Sequence, residues 1–221
     1  WDPERRFIYS SHCCRWYFLF LDTVGDSMVG HFVMLHGMTG SAEKMRPLAE
    51  KFCPSGWDVL ILDAPFPHPR GGFAWWIRDA PATEYLDNET LSQLQESVDF
   101  VTENLPTDGP LIVGGFSQGG AVAQELLLSE AAERIVGVVV LASTAARPLI
   151  LFEKLCDLPS QRMFSMHGER DAIVPIKQAD EYARLYEEAG WDVTKVRHQK
   201  GHMVDLGSED TLHDWLRETV E

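Results

Sequence analysis

A serine set between glycines marks the junction of a strand-like segment and a helix-like segment. Residues 115–119 read Gly-Phe-Ser-Gln-Gly, a G-x-S-x-G pattern with Ser117 at its centre. Residues 111–114 before it are apolar, as in a buried strand, and residues 121–128 after it have the composition of a helix. In this setting the pattern indicates a nucleophile elbow, a tight turn that raises the serine hydroxyl above a sheet. The glycines are needed because side chains there would collide with the neighbouring strand and helix.

Segments typical of strands and helices alternate along the rest of the chain. Strands are predicted at 31–35, 57–62, 110–115, 135–141, 162–166 and 191–197, and helices at 42–53, 88–104, 175–189 and 207–220. This alternation predicts an α/β fold whose central sheet is mostly parallel and carries helices on both faces. Two more strands, near 5–9 and 15–21, have no helix between them and are predicted to form an antiparallel N-terminal edge. Asn88 is predicted as the N-cap of its helix, and residues 64–86 are predicted to be irregular.

Length and charge limit the classes of function. The 221 residues are enough for one domain with a sizeable core, and because no linker or repeat interrupts them, residues 1–221 are expected to form a single domain. The formal net charge of −15 disfavours nucleic acids and anionic membranes as partners, because no basic patch offsets the repulsion. No segment is long enough to span a membrane, so stable membrane insertion is not expected.

The cysteines suggest a reducing environment. Cys13 and Cys14 are adjacent, and adjacent cysteines rarely bridge each other. Cys53 and Cys156 are far from them and from each other in the sequence, and no pair shows metal-ligand spacing. Scattered cysteines of this kind are typical of a reduced compartment. We therefore expect a cytoplasmic protein without structural disulfides.

A serine nucleophile needs a base that takes its proton and a carboxylate that orients the base. When the serine lies on such an elbow, the partners follow it in the chain order Ser, Asp or Glu, His. Asp171 is predicted as the acid because it follows a predicted strand, and active-site groups of open α/β sheets lie beyond the carboxyl ends of strands. His202 is predicted as the base because it lies between the last predicted strand and the last helix. Glu169 and His198 remain as alternatives. His198 and His202 are four residues apart but not on a predicted helix, so no metal site is expected.

Acyl transfer also needs two hydrogen-bond donors for the oxyanion. The first is predicted to be the backbone N–H of Gln118, directly after the serine. The second is predicted to be the backbone N–H of Met38, in the glycine-containing loop 36–41 that follows a predicted strand. The glycines of this loop let the backbone turn its N–H groups inward.

An aromatic-rich stretch supplies candidates for substrate binding. Phe73, Trp75 and Trp76 lie in the irregular region that is expected to border the active site. Exposed aromatic side chains reduce solubility unless they cover something, so these residues are predicted to contact a lipid, acyl or aryl group. The alternative is that one or both tryptophans pack into the core.

Several short motifs together resemble the phospholipase/carboxylesterase family, the branch of the α/β-hydrolases that contains bacterial carboxylesterases and acyl-protein thioesterases. In chain order they are Leu-His-Gly at 35–37, Gly-Phe-Ser-Gln-Gly-Gly at 115–120, His-Gly at 167–168 with Asp171, Val-Pro at 174–175 and Gly-His at 201–202. The resemblance covers about residues 30–220. It implies an α/β-hydrolase fold without a large separate lid, no cofactor, and a small-molecule or lipid-like ester as substrate. Dimers occur in the family, so it also allows a homodimer.

The resemblance implies a reaction type and leaves the substrate open. A serine hydrolase is expected that cleaves carboxylic esters or thioesters through Ser117, His202 and Asp171 and an acyl-enzyme, with a preference for short to medium acyl groups. Family members often carry Leu-Gly-Asp where this chain has Met-Thr-Gly at 38–40, and the neighbours of its tryptophan pair also differ. The alternatives are a peptidase or lactone hydrolase on the same scaffold, a non-catalytic ligand-binding relative that kept the fold, and a structural partner protein. The lactone enzymes usually carry cysteine at the elbow, whereas this chain has serine.

Overall fold

The structure is a computed structural model that describes residues 29–78 and 86–221. Its strands in chain order are β1 (His31–Leu35), β2 (Asp58–Leu60), β3 (Phe66–Pro67), β4 (Phe73–Ala74), β5 (Leu111–Phe116), β6 (Ile135–Leu141), β7 (Arg162–Gly168) and β8 (Asp192–His198). Its helices are α1 (Ala42–Phe52), α2 (Asn88–Asn104), α3 (Gln118–Glu125), α4 (Pro148–Asp157), α5 (Ile176–Glu188) and α6 (Glu209–Val220). Within these two stretches of chain, no helix is long and apolar enough to cross a membrane.

Six strands form one parallel sheet, in the spatial order β2-β1-β5-β6-β7-β8. The strand that leads to the serine, β5, lies inside the sheet, where Gly115 is opposite Leu35 of β1 and Val140 of β6. Because all six strands run in the same direction, their carboxyl ends share one edge of the sheet. The prediction of a mostly parallel sheet is confirmed. The predicted N-terminal strands, 5–9 and 15–21, lie outside the described residues.

Two apolar clusters cover the two faces of the sheet, because alternate residues of a strand point to opposite sides. Phe32 and Met34 of β1 belong to the cluster that contains the buried faces of α1 and α6. Val33 and Leu35 belong to the larger cluster, which contains the buried faces of α2, α3, α4 and α5. The expected helices on both faces are therefore present, and the alternating strand residues fix which face each helix covers.

The bounds of α2 match the predicted helix 88–104, but its N-cap differs from the prediction by one residue. Its N-cap is Asp87, which has an extended backbone and whose carboxylate accepts a hydrogen bond of 2.8 Å from the Thr90 N–H. This bond lowers the pKa of the Asp87 carboxyl. The prediction that Asn88 is the N-cap is wrong, because Asn88 is already the first residue of the helix and an N-cap has non-helical dihedrals.

The region predicted to be irregular contains the antiparallel hairpin of β3 and β4. Its turn is closed by the His68 N–H, which donates to the carbonyl of Gly72 at 2.9 Å, and Gly72 has a φ of 68° that favours glycine. Phe73 of this hairpin also pairs with Gly40 as an isolated antiparallel bridge. The hairpin is therefore attached to the loop that follows β1, next to the end of β5.

Candidate active site

Ser117 lies between β5 and α3 in a backbone conformation that side-chain-bearing residues rarely adopt, with φ 52° and ψ −120°. Its N–H donates to the carbonyl of Leu141 at 2.9 Å, which extends the pairing of β5 with β6. Its own carbonyl accepts a hydrogen bond of 2.5 Å from the Ser143 hydroxyl. Contacts on both sides of Ser117 thus hold a conformation that costs on the order of 1–3 kcal/mol.

The glycines around Ser117 allow backbone to pack directly on backbone. A Cβ on Gly115 would lie 2.4 Å from the carbonyl carbon of Gly119. A Cβ on Gly119 would lie 2.2 Å from the carbonyl oxygen of Leu35 and 2.5 Å from that of His36. The first turn of α3 therefore touches both β5 and the end of β1, and this contact brings the loop after β1 next to Ser117.

The nucleophile, base and acid predicted from the sequence lie within hydrogen-bond distance of each other. His202 Nε2 is 2.9 Å from Ser117 Oγ, and His202 Nδ1 is 2.7 Å from Asp171 Oδ2. Since a carboxylate can only accept, the proton between His202 and Asp171 belongs to Nδ1, and Nε2 is free to accept from the serine hydroxyl. The His202 side chain is 19% exposed and that of Asp171 is fully buried. The ring of Phe116 packs against His202 with centroids 5.0 Å apart.

Asp171 is held by more than His202. Its Oδ1 accepts hydrogen bonds from the backbone N–H groups of Ile173 at 2.8 Å and Val174 at 3.0 Å. His167 Nε2 lies 3.3 Å from Asp171 Oδ2 and 2.8 Å from the carbonyl oxygen of Val174, so this nitrogen carries a proton that it donates. Burial lowers the pKa of His167, which keeps its ring neutral. The sequence indicated His167 only as part of a motif, and its contact with the carboxylate was not foreseen.

The alternative acid and base have other surroundings. Glu169 is exposed and accepts a hydrogen bond from the side chain of Gln199. His198 is buried at the end of β8, where its Nδ1 accepts from the Lys200 N–H at 3.3 Å. Neither residue makes a hydrogen bond to Ser117, whereas His202 does, so the geometry favours the predicted pair over its rivals.

The loop that carries His202 is closed by an ion pair. Lys200 Nζ lies 2.6 Å from Asp205 Oδ1, so the pair spans the histidine from both sides in sequence. The hydrogen bond from Lys200, followed by one from the Gly207 N–H, lowers the pKa of the Asp205 carboxyl to about 2. Gly168 at the end of β7 supports the same loop, because a Cβ there would lie 2.3 Å from the Lys200 carbonyl oxygen.

The two backbone N–H groups predicted as oxyanion donors have no acceptor among residues 29–78 and 86–221. That of Gln118 is at the start of α3, where helical N–H groups lack a partner. That of Met38 lies in a loop fixed by His36, whose Nδ1–H donates to the Gly37 carbonyl at 2.8 Å and whose Nε2 accepts from the Ala64 N–H at 3.1 Å. Burial lowers the pKa of His36, so its ring stays neutral in this role.

The tryptophans predicted to contact substrate are core residues instead. Trp75 is fully buried and Trp76 is 7% exposed, whereas Phe73 is partly exposed. The indole N–H of Trp75 donates to the His36 carbonyl at 2.7 Å, which turns the ring away from solvent. The alternative, that the tryptophans pack into the core, therefore holds for both of them. Of the three aromatic residues, Phe73 alone has exposed surface that a ligand could contact.

Next to the candidate triad, apolar surface comes from two residues for which the sequence predicted no role. Ile173 is 55% exposed and Met203 is 47% exposed. Each is a close neighbour in sequence of a triad member, Asp171 or His202. Adjacency to the predicted acid and base was the only signal in the sequence that could have suggested them. No group of three potential metal ligands occurs in the part of the chain that the structure describes.

Comparison with known proteins identifies a family and a fold. The model of the Phospholipase/Carboxylesterase family matches residues 72–218, more than half of the chain. Among solved structures, acyl-protein thioesterase 2 of Zea mays superposes with a TM-score of 0.72 at 19% identity, over 91% of this chain and 97% of that one. The carboxylesterase of Bacillus cereus gives 0.69 at 21% identity, over 86% and 89%, and SOBER1 of Arabidopsis thaliana gives 0.67 at 17%, over 86% and 99%. No curated protein matches the chain by sequence.

Proposed function

We propose, from the premise that the chain belongs to the phospholipase/carboxylesterase family of ester hydrolases, that Ser117, His202 and Asp171 form its catalytic triad. The observation that carries the proposal is a chain of two hydrogen bonds. His202 Nδ1 lies 2.7 Å from Asp171 Oδ2, and His202 Nε2 lies 2.9 Å from Ser117 Oγ. A serine hydroxyl becomes a useful nucleophile only beside an oriented base, and these two hydrogen bonds supply one.

The triad would act through an acyl-enzyme. Ser117 Oγ attacks the carbonyl carbon of the ester while its proton passes to His202 Nε2. The bond between the carbonyl carbon and the leaving group then breaks, and His202 returns the proton to the departing alcohol or thiol. Water attacks the acyl-enzyme with His202 again as the base, which releases the carboxylic acid and restores the serine hydroxyl. The Asp171 carboxylate balances the charge on the imidazolium.

The negative charge that develops on the carbonyl oxygen would be met by the N–H groups of Gln118 and Met38. The helix start at Gln118 adds the positive end of the α3 dipole. Both groups are available because no acceptor within the described stretches occupies them. Removing one such donor typically costs roughly 10²–10³ in turnover.

Short to medium acyl esters or thioesters are the proposed substrates. With Trp75 and Trp76 packed into the core, the apolar surface that the described residues offer beside the proposed triad comes from single side chains. Ile173 and Met203 are largely exposed, and Phe73 and Phe116 are partly exposed. Separate side chains of this kind can cover a short acyl group but not a long one. Each methylene of the substrate contributes about 0.8 kcal/mol only when protein atoms bury it.

The test is hydrolysis of nitrophenyl esters of increasing chain length by the parent protein and by Ser117→Ala. The variant should lose roughly 10⁴–10⁶ of the turnover, by analogy with other triads. Ser160→Ala is the matched control, because this exposed serine precedes β7 at the opposite edge of the sheet and donates only to the Gly190 carbonyl. An organophosphonate should label Ser117 in the parent and in Ser160→Ala, and Ser117→Ala should stay unlabelled. A folded parent that hydrolyses no ester would redirect the search to peptide or lactone substrates, or to ligand binding without catalysis.

A further inference from the structure

We infer that Trp75 is a positioning residue that sets the distance between the two oxyanion donors. The inference rests on the function proposed above and concerns how its site is built. The two donors belong to separate segments of chain, the loop after β1 and the start of α3. Trp75 makes hydrogen bonds to both segments and thereby couples them.

The first set of contacts holds the loop that carries Met38. The indole N–H of Trp75 donates to the carbonyl of His36 at 2.7 Å, two residues before Met38. The rings of Trp75 and His36 also pack at 5.3 Å between centroids. Beyond Met38, the Thr39 N–H donates to the Phe73 carbonyl at 2.9 Å. Residues 73–75 therefore bond to the loop on both sides of Met38, whose backbone N–H is the predicted donor.

The second set of contacts holds the start of α3. The backbone N–H of Trp75 donates to Gln118 Oε1 at 3.1 Å, and Gln118 Nε2 donates to the carbonyl of Trp76 at 2.8 Å. The side-chain amide therefore pairs with the main chain at two points, as a neighbouring strand would. Because the backbone N–H of the same Gln118 is the other predicted donor, the residue that supplies it is tied directly to the tryptophan segment.

The tryptophan segment is itself fixed to the core, so it can hold the donors in place. The carbonyl of Trp75 accepts a hydrogen bond of 2.5 Å from Ser97 in α2, and the Ile77 N–H donates to Gln93 of the same helix at 2.7 Å. The Trp75 side chain is fully buried. An oxyanion hole works only when its donors lie about 2.7–3.1 Å from the oxygen, and a misplacement of about 1 Å can cost on the order of 10² in rate.

A purely structural role for Trp75 predicts a different phenotype. A core residue that only packs would, when altered, lower stability and leave the turnover of the folded fraction unchanged. A positioning residue lowers kcat with little change in KM, because the oxyanion donors act in the transition state more than in the ground state. It also weakens the binding of inhibitors that form an oxyanion, such as trifluoromethyl ketones, and leaves the binding of the neutral product unchanged.

The decisive variant is Trp75→Phe, which keeps an aromatic ring and loses the fused pyrrole ring together with the N–H that bonds to His36. Its matched control is Trp191→Phe, because Trp191 is 4% exposed and its indole N–H donates to the Leu155 carbonyl at 3.4 Å, in a contact with α4. We expect Trp75→Phe to lower kcat by roughly 10–100-fold and to weaken the ketone by a similar factor, with KM within about threefold. The control should lose stability and keep its kcat within about twofold.

A second variant covers the case in which Trp75→Phe does not fold. Gln118→Met has a side chain of similar size but cannot bond to the main chain of Trp75 or Trp76, and it should show the same loss of kcat. Parental kcat and ketone affinity in the folded variants, beside an inactive Ser117→Ala, would overturn the positioning role and leave the triad intact. Turnover that survives in Ser117→Ala would instead refute the proposed function, and the positioning role would fall with it.

Discussion

The contact between Gly119 and the end of β1 offers the sharpest test of how the site is built. Gly119→Ala adds one carbon atom to the first turn of α3. That atom would lie 2.2 Å from the carbonyl oxygen of Leu35 and 2.5 Å from that of His36. Both neighbours are backbone atoms of a buried strand end, so no flexible side chain can move aside. The variant must separate the helix start from the loop after β1.

The size of the effect follows from these distances. An ordinary van der Waals contact is at least 3.4 Å, so the helix start must move by about 1 Å relative to Leu35. Overpacking of this kind costs about 1–3 kcal/mol in stability. The same movement separates the N–H of Gln118 from that of Met38, and a misplacement of about 1 Å can cost on the order of 10² in rate. We therefore expect a folded protein with kcat reduced about 100-fold.

The assay pairs ester hydrolysis with urea unfolding, and Gly56→Ala is the control. Gly56 has a φ of 79° and no atom within 4 Å of the position that a Cβ would occupy. Alanine there is strained by about 1–2 kcal/mol through its backbone alone. The two variants should thus lose similar stability, and only Gly119→Ala should lose turnover. Parental kcat in a folded Gly119→Ala would refute the argument that this contact positions the oxyanion donors.

Two further predictions concern buried charge. Lowering the pH from about 7 to about 5 should destabilise the fold. Burial lowers the pKa of His36 and of His167 in the folded protein. Below about pH 6.5 the unfolded chain therefore binds more protons than the folded one, which favours unfolding. His167→Gln, whose amide can still donate to Val174, should weaken this dependence in urea unfolding at both pH values, and an unchanged dependence would contradict it. Arg147→Met should cost about 3–5 kcal/mol, since it leaves the fully buried Glu125 carboxylate without its 2.6 Å ion pair. Adding Glu125→Gln should recover most of that loss in thermal unfolding, and no recovery would show that buried charge is not the cause.

The sheet and its helices could be predicted because their signals are periodic and long. Apolar strands such as 135–141 and helices with a clear buried face such as 175–189 differ from their observed bounds by at most one residue. The N-cap of α2 could not be fixed in this way, since Asp87 and Asn88 are adjacent and both residue types are good N-caps. The hairpin of β3 and β4 has strands of two residues, too short for any periodicity. Its position depends on pairing with Gly40, which is distant in sequence.

The candidate triad could be predicted because chain order and strand ends restrict the choice. Ser117, Asp171 and His202 follow the order that such elbows require, and the structure brings their side chains together. The aromatic stretch carried no comparable restriction. A tryptophan in a loop rich in proline and glycine is expected at the surface, and its burial depends on acceptors supplied elsewhere. For Trp75 these are the His36 carbonyl and the Gln118 amide, two partners that only the folded chain places within reach.

The contacts around Ser117 also explain why a strained serine can be maintained. The cost of its positive φ is offset by two hydrogen bonds, one that its N–H donates to Leu141 and one that its carbonyl accepts from Ser143. Gly120 fits against Ser143, because a Cβ there would lie 2.7 Å from the Cβ of that serine. The strain is thus balanced by the end of β6 and the residues after it, whereas Trp75 and Gln118 fix the donors on the side of β1. These two supports meet at the adjacent residues Ser117 and Gln118, so a variant that relaxes the serine turn and one that displaces the oxyanion donors should show non-additive losses of activation free energy in a double-mutant cycle on kcat/KM, and strict additivity would contradict this coupling.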